Sequence, residues 1–128
     1  MSPNYGARGF RHLGRALGDS LAGFRSALRY EVAFRQELLL FLLLAPAALW
    51  LGGGPVEQAI LLASLMLVLV AELLNSAIEA AVDRMGEAFH PLAGRAKDLG
   101  SAAVLMALLM VAVVWGLVAL PNLIERLT

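Results

Sequence analysis

Three long apolar runs, at about residues 38–52, 56–83 and 99–121, occupy most of this 128-residue chain. A helix of about 20 apolar residues spans the hydrocarbon core of a bilayer. Backbone polar groups find no water there, so each run must be helical to satisfy them. With 60% hydrophobic residues, the chain carries more apolar material than a soluble domain of this length needs. The sequence therefore predicts an all-α membrane protein with three transmembrane helices, forming a single domain over residues 1–128. Three helices bury few residues per chain, which predicts an oligomer. There are no cysteines, so disulfides and cysteine-based zinc sites are excluded.

Residues 8–36 precede the first run and read as an amphipathic surface helix. Phe10, Leu13, Leu17, Leu21, Phe24 and Leu28 recur at helical spacing. Arg8, Arg11, Arg15, Asp19, Arg25 and Arg29 largely fill the other side. Such a stretch can lie in the headgroup plane of an anionic leaflet. Arg-rich amphipathic stretches also serve as transit peptides, but Asp19 and Glu31 do not suit one. Gly9, Gly14, Gly18 and Gly23 weaken the helix and allow a break. The first run is short unless Val32 to Gln36 extend it; Pro46 predicts a kink within it. Gly52-Gly53-Gly54-Pro55 reads as a tight turn. The polar segment from Arg84 to Asp98 reads as a loop, with Pro91 near the start of the next helix. The third run is expected to end at Pro121.

In a three-span chain, Arg8, Arg11, Arg15, Arg25, Arg29, Arg35, Arg84, Arg95 and Lys97 share one side, and only Arg126 lies opposite. Basic residues collect on the cytoplasmic side of membrane proteins. The expected topology is a cytoplasmic N-terminus and 84–98 segment, with the C-terminus outside.

Within the second run, Glu72, Asn75, Glu79 and Asp83 interrupt the apolar pattern. At about 100° per residue they fall within roughly 80° of one another. Carboxylates at membrane depth are costly and normally face a bundle interior or a wet cavity. Their spacing suits a divalent metal. Glu31 and Glu37 flank the start of the first span, and Lys97 and Asp98 stand at the entry to the third. Carboxylates that hold metal on phosphate oxygens, together with basic side chains, are the parts of a phosphoryl-transfer site. No GxxxxGK[ST] loop is present, so a nucleotide site here must be built from helices. Each residue also has a plainer reading. Glu72 could join helices, Glu79 and Asp83 could be solvated at a helix end, and Lys97 could snorkel. Arg35, Arg84 and Arg95 could serve topology, and His90 could start a helix. Gly100 and Ser101 could allow close helix approach.

The stretch Glu72-Leu-Leu-Asn-Ser-Ala-Ile-Glu-Ala-Ala-Val-Asp83 resembles the ExxNxAxExxxD signature of the small prokaryotic integral-membrane diacylglycerol kinases. The segments Glu31-Val-Ala-Phe-Arg-Gln-Glu37 and Gly94-Arg-Ala-Lys-Asp-Leu-Gly-Ser-Ala-Ala-Val104 continue the match in the family's order, from about Phe10 to Val118. The resemblance is greatest to the proteobacterial type. It implies a homotrimeric bundle with sites shared between subunits, in the inner (cytoplasmic) membrane. It implies ATP and diacylglycerol as substrates and Mg2+ as cofactor, with no nucleic-acid partner. Glu72 matches the general base, and Glu31 and Glu79 match the magnesium-holding carboxylates. Lys97, Asp83, His90, Gly94, Arg95 and Ser20 fall to the nucleotide. Asn75, Asp98, Arg35, Glu37 and Ser101 fall to the lipid substrate. The chain departs from the family pattern at three places: His12 stands where many relatives carry an Arg, Asp19 where an aromatic is common, and Phe89 where the family has a loop tyrosine.

Two rival readings stand beside this one. Undecaprenol kinases share the phosphoryl half of the site and differ in the acceptor pocket. A non-enzymatic pore or transporter subunit needs polar residues across the whole bilayer, whereas the outer half of each span reads as apolar.

Overall fold

The computed structural model describes residues 5–86 and 90–128, and every element among them is helical. The first helix, α1, is Tyr5–Tyr30. The second, α2, is Val32–Leu51 and the third, α3, is Pro55–Arg84. The fourth, α4, runs Pro91–Leu127. The last three are long and apolar enough to cross a membrane, as expected of a multi-pass membrane protein.

The helix boundaries correct the expected ones in four places. The amphipathic helix ends at Tyr30 rather than near residue 36. Glu31 is extended at φ −106° and ψ 105°, and the residues after it begin α2. Arg35 stabilises this corner: its Nη1 donates to the carbonyls of Leu28 at 3.0 Å and Arg29 at 3.1 Å. Those are C-terminal carbonyls that α1 cannot bond itself. The glycines of α1 do not break it. Residues 91–98 are the first turns of α4, not loop. Pro91 fits there because a first-turn residue has no helical partner for its missing N–H. The His90 ring nitrogen accepts the Leu92 N–H at 3.1 Å and caps the helix.

Nor does Pro121 end the last helix. A π turn at Trp115–Ala119 precedes it, and the helix continues through Leu120–Leu127. The Leu120 N–H donates to the Trp115 carbonyl, five residues back. This wider turn makes room for a ring that would otherwise strike the preceding turn.

The spans pack through small side chains. Ala48 of α2 and Ala119 of α4 meet Leu51 and Leu61 near the glycine turn, and Ala71 and Val68 of α3 meet Ala107 of α4 at mid-span. Small residues let backbones approach closely where water supplies no driving force. Gly54 is at φ +145°, a conformation side chains rarely adopt. It therefore permits the reversal into Pro55.

The end of the bundle at the glycine turn, read from the sequence as apolar, is not wholly so. Asn122 Nδ2 donates to the Leu51 carbonyl at 2.6 Å and to Glu57 Oε1 at 2.8 Å. Glu57 Oε1 also accepts the Gly53 N–H at 3.1 Å, and Gln58 Nε2 donates to the Leu49 carbonyl at 2.9 Å. The Arg126 guanidinium sits 5.0 Å from the centre of the Trp50 ring. Deeper in, Trp115 Nε1 donates to the buried Ser64 hydroxyl at 3.2 Å. Asn122 alone thus ties α4 to the end of α2 and the start of α3. Asn122→Ala is expected to lower unfolding free energy by about 1–3 kcal/mol, read by denaturation in detergent micelles. An unchanged midpoint would show that the tie adds nothing.

Candidate active site

The polar groups of α3 go from buried to exposed along the helix. Glu72 is 7% exposed, Asn75 and Glu79 are half-buried, and Asp83 is exposed. Asn75 Nδ2 donates to Glu79 Oε1 at 3.3 Å. The Asn75 Oδ1 atom is buried with no donor. It faces Gly100 of α4 so closely that an added Cβ there would collide with it. Gly100 is therefore required by the carboxamide beside it, not only by helix packing.

The remaining expected site residues fall around α3 in separate places. Ser20 and Glu31 line a cavity of about 410 Å³ between the end of α1 and α3. Asp83, His90, Gly94 and Lys97 line one of about 670 Å³ where α3 gives way to α4. There Lys97 Nζ pairs with Asp83 Oδ1 at 2.6 Å. Asn75 stands at a third, apolar groove of about 440 Å³ between α3 and α4, with Gly100 and Ala103. Arg95, Asp98 and Ser101 are exposed, and Arg35 is engaged by the end of α1. Phe89 lies outside the described residues.

Glu37 is half-buried on α2, and its Oε2 is buried without a donor. The available signal was a carboxylate inside an apolar run, which needs a partner.

Among the described residues, no three His, Asp or Glu side chains converge on one point. Magnesium carried on nucleotide phosphates needs only one or two carboxylates, and its oxygen preference matches Glu31 and Glu79. The donor chemistry fits, with the two carboxylates on different elements.

The sequence model described as prokaryotic diacylglycerol kinase matches residues 18–119. The chain belongs to the prokaryotic diacylglycerol kinase family. It is 48% identical over 107 residues to the diacylglycerol kinase of Escherichia coli (strain K12), covering 84% of this chain and 88% of that one. Identity to the diacylglycerol kinase of Pseudomonas aeruginosa is 47% over 119 residues, covering 93% and 97%. For that of Haemophilus influenzae it is 46% over 112 residues, covering 88% and 95%. The resemblance read from the three motifs thus holds over almost the whole chain, and membership makes this protein a lipid kinase.

For a kinase of this family, Gly100→Ala tests whether the Asn75 carboxamide must stay where it is. The added methyl forces it aside and breaks its bond to Glu79. Activity should fall about tenfold or more, as small displacements of site groups do, while the protein stays folded. Full activity in this variant would mean that Asn75 has no fixed place in the chemistry.

Proposed function

We propose that this chain transfers the γ-phosphoryl group of ATP to the primary hydroxyl of diacylglycerol, giving phosphatidic acid and ADP. The observation that carries this reading is Glu72: a buried carboxylate on a membrane-length helix, in a chain of this family. The three relatives above are named diacylglycerol kinase. A lipid can present its hydroxyl to α3 from the bilayer, and Glu72 is the deepest group on the polar stripe. Glu72 accepts the hydroxyl proton as the oxygen attacks the γ-phosphorus and the bond to ADP breaks. Lys97, at the mouth of the cavity it shares with Asp83, offsets phosphate charge. Asp98 and Ser101, exposed on α4, contact the lipid headgroup in this reading. Magnesium, held with ATP by Glu31 and Glu79, supplies charge neutralisation on the phosphate oxygens.

The assembly is a homotrimer with sites shared between neighbours. Support comes from the wide spread of exposed apolar side chains along α2, α3 and α4, and from Glu31 lining a cavity that Glu79 does not line. The apolar side chains of α1, from Phe10 to Leu28, are exposed as well, which suits a helix lying on the leaflet. Nine of ten basic residues on one side of the spans favour the inner membrane with the N-terminus and the site facing the cytoplasm, where ATP is found.

The acceptor decides between this reading and undecaprenol phosphorylation. Purified protein in mixed micelles, offered both lipids with labelled ATP, should label diacylglycerol in preference. Preferential labelling of undecaprenol would overturn the assignment. In the same assay, Glu31→Gln and Glu79→Gln should each raise the magnesium needed for half-maximal rate, because each removes an anionic oxygen ligand. An unchanged titration would remove that residue from the metal shell.

A further inference from the structure

Asp83 lies in the last turn of α3 and Lys97 in the second turn of α4, so helix packing brings the two side chains together. Lys97 Nζ meets Asp83 Oδ1 at 2.6 Å, the ion pair found among the described residues. The side chains are 44% and 64% exposed. A pair that open adds little to stability, so joining the helices is not its main effect. Its main effect is to fix a flexible group. A lysine carries a point charge at the end of a four-carbon stem and has no geometry of its own. The Lys97 ammonium has three N–H donors. One goes to Asp83, and two remain beside the cavity that Lys97 lines with His90 and Gly94.

The alternative, a direct contact between Asp83 and the nucleotide, fails on charge. An ionised carboxylate only accepts hydrogen bonds, and phosphate oxygens likewise offer acceptors and negative charge, so the two repel. Nor is Asp83 part of a metal cage: no three His, Asp or Glu side chains converge among the described residues.

We propose that Asp83 is a positioning residue for Lys97, holding the ammonium so that its two remaining N–H groups meet the phosphates of MgATP. The inference rests on Lys97 offsetting phosphate charge in the proposed phosphotransfer. Asp83 keeps its bond to Lys97 throughout and touches no substrate. This replaces the nucleotide contact that the family resemblance gives Asp83.

The test is a double-mutant cycle in the full-length protein. It is read as kcat/KM for MgATP in mixed micelles with diacylglycerol, and as equilibrium binding of a non-hydrolysable MgATP analogue. Asp83→Ala should lower both about tenfold, as a displaced site group does. Its unfolding midpoint should stay at the wild-type value. Asp83→Glu restores the pair and should stay within about threefold of wild type. Lys97→Met should lose at least as much as Asp83→Ala, and adding Asp83→Ala to it should cost nothing further. The proposal is overturned if Asp83→Ala keeps full activity and affinity, or if Asp83→Glu falls as far as Ala. It is overturned equally if Lys97→Met binds the analogue normally, or if the Asp83→Ala loss recurs in the Lys97→Met background. A shifted unfolding midpoint with an additive loss would mark the pair as structural. A wild type that binds the analogue but leaves diacylglycerol unphosphorylated would refute the phosphotransferase reading instead. The binding cycle would still decide whether Asp83 acts through Lys97.

Discussion

Glu72→Gln should leave the protein folded and able to bind MgATP, with turnover at least about 100-fold below wild type, since a general base typically supplies 10²–10⁴-fold. Glutamine keeps the size of the side chain, so packing between α2 and α3 is preserved. It has no free carboxylate, and the lipid hydroxyl then has nowhere nearby to send its proton. The place of Glu72 argues against a mere role in joining helices, because Asn or Ser would do that at lower cost inside a bilayer. Steady-state rates beside equilibrium nucleotide binding separate the two. If the Gln variant keeps more than about a tenth of wild-type turnover, Glu72 is not the base.

At a magnesium concentration too low to sustain Glu31→Gln, chains carrying Glu31→Gln or Glu72→Gln should recover activity when mixed and reassembled. Glu31 lies at the corner between α1 and α2, in a cavity against α3, while Glu72 is buried on α3 itself. If a site draws these two groups from neighbouring subunits, some interfaces in mixed trimers pair an intact Glu31 with an intact Glu72. With random mixing about one site in four has both, because each closed ring repeats one head-to-tail interface. The mixture should therefore run well under half of wild-type rate but far above either parent. No recovery in mixed trimers, confirmed by tagged pull-down, would show that each site is built within one chain.

The features set by local pattern were legible in the sequence. Apolar runs located all three spans, and α3 lies within a residue of its expected bounds at each end. The polar stripe was readable because Glu72, Asn75, Glu79 and Asp83 are bound to one face by helix geometry. Three motifs in order were enough to point to the family. What was missed depends on contacts between distant segments. Asn122 and Glu57 are 65 residues apart, and nothing near either one marks the pairing. The bonds of Arg35 go to backbone carbonyls at the end of α1, which no side-chain pattern reveals. Pro91 starts the next helix as expected; helix ends were misplaced where polar residues fill the first turns before the apolar run, over residues 92–98, or where a π turn accommodates a proline, as before Pro121.

The most direct test of the account is a single turnover with γ-labelled ATP, stopped and separated into lipid, protein, inorganic phosphate and nucleotide. With diacylglycerol and magnesium present, the label should pass from ATP to phosphatidic acid alone, and without diacylglycerol it should stay on ATP. Label in inorganic phosphate or on the protein, or ATP left intact with diacylglycerol present, would contradict direct transfer to the lipid hydroxyl at Glu72.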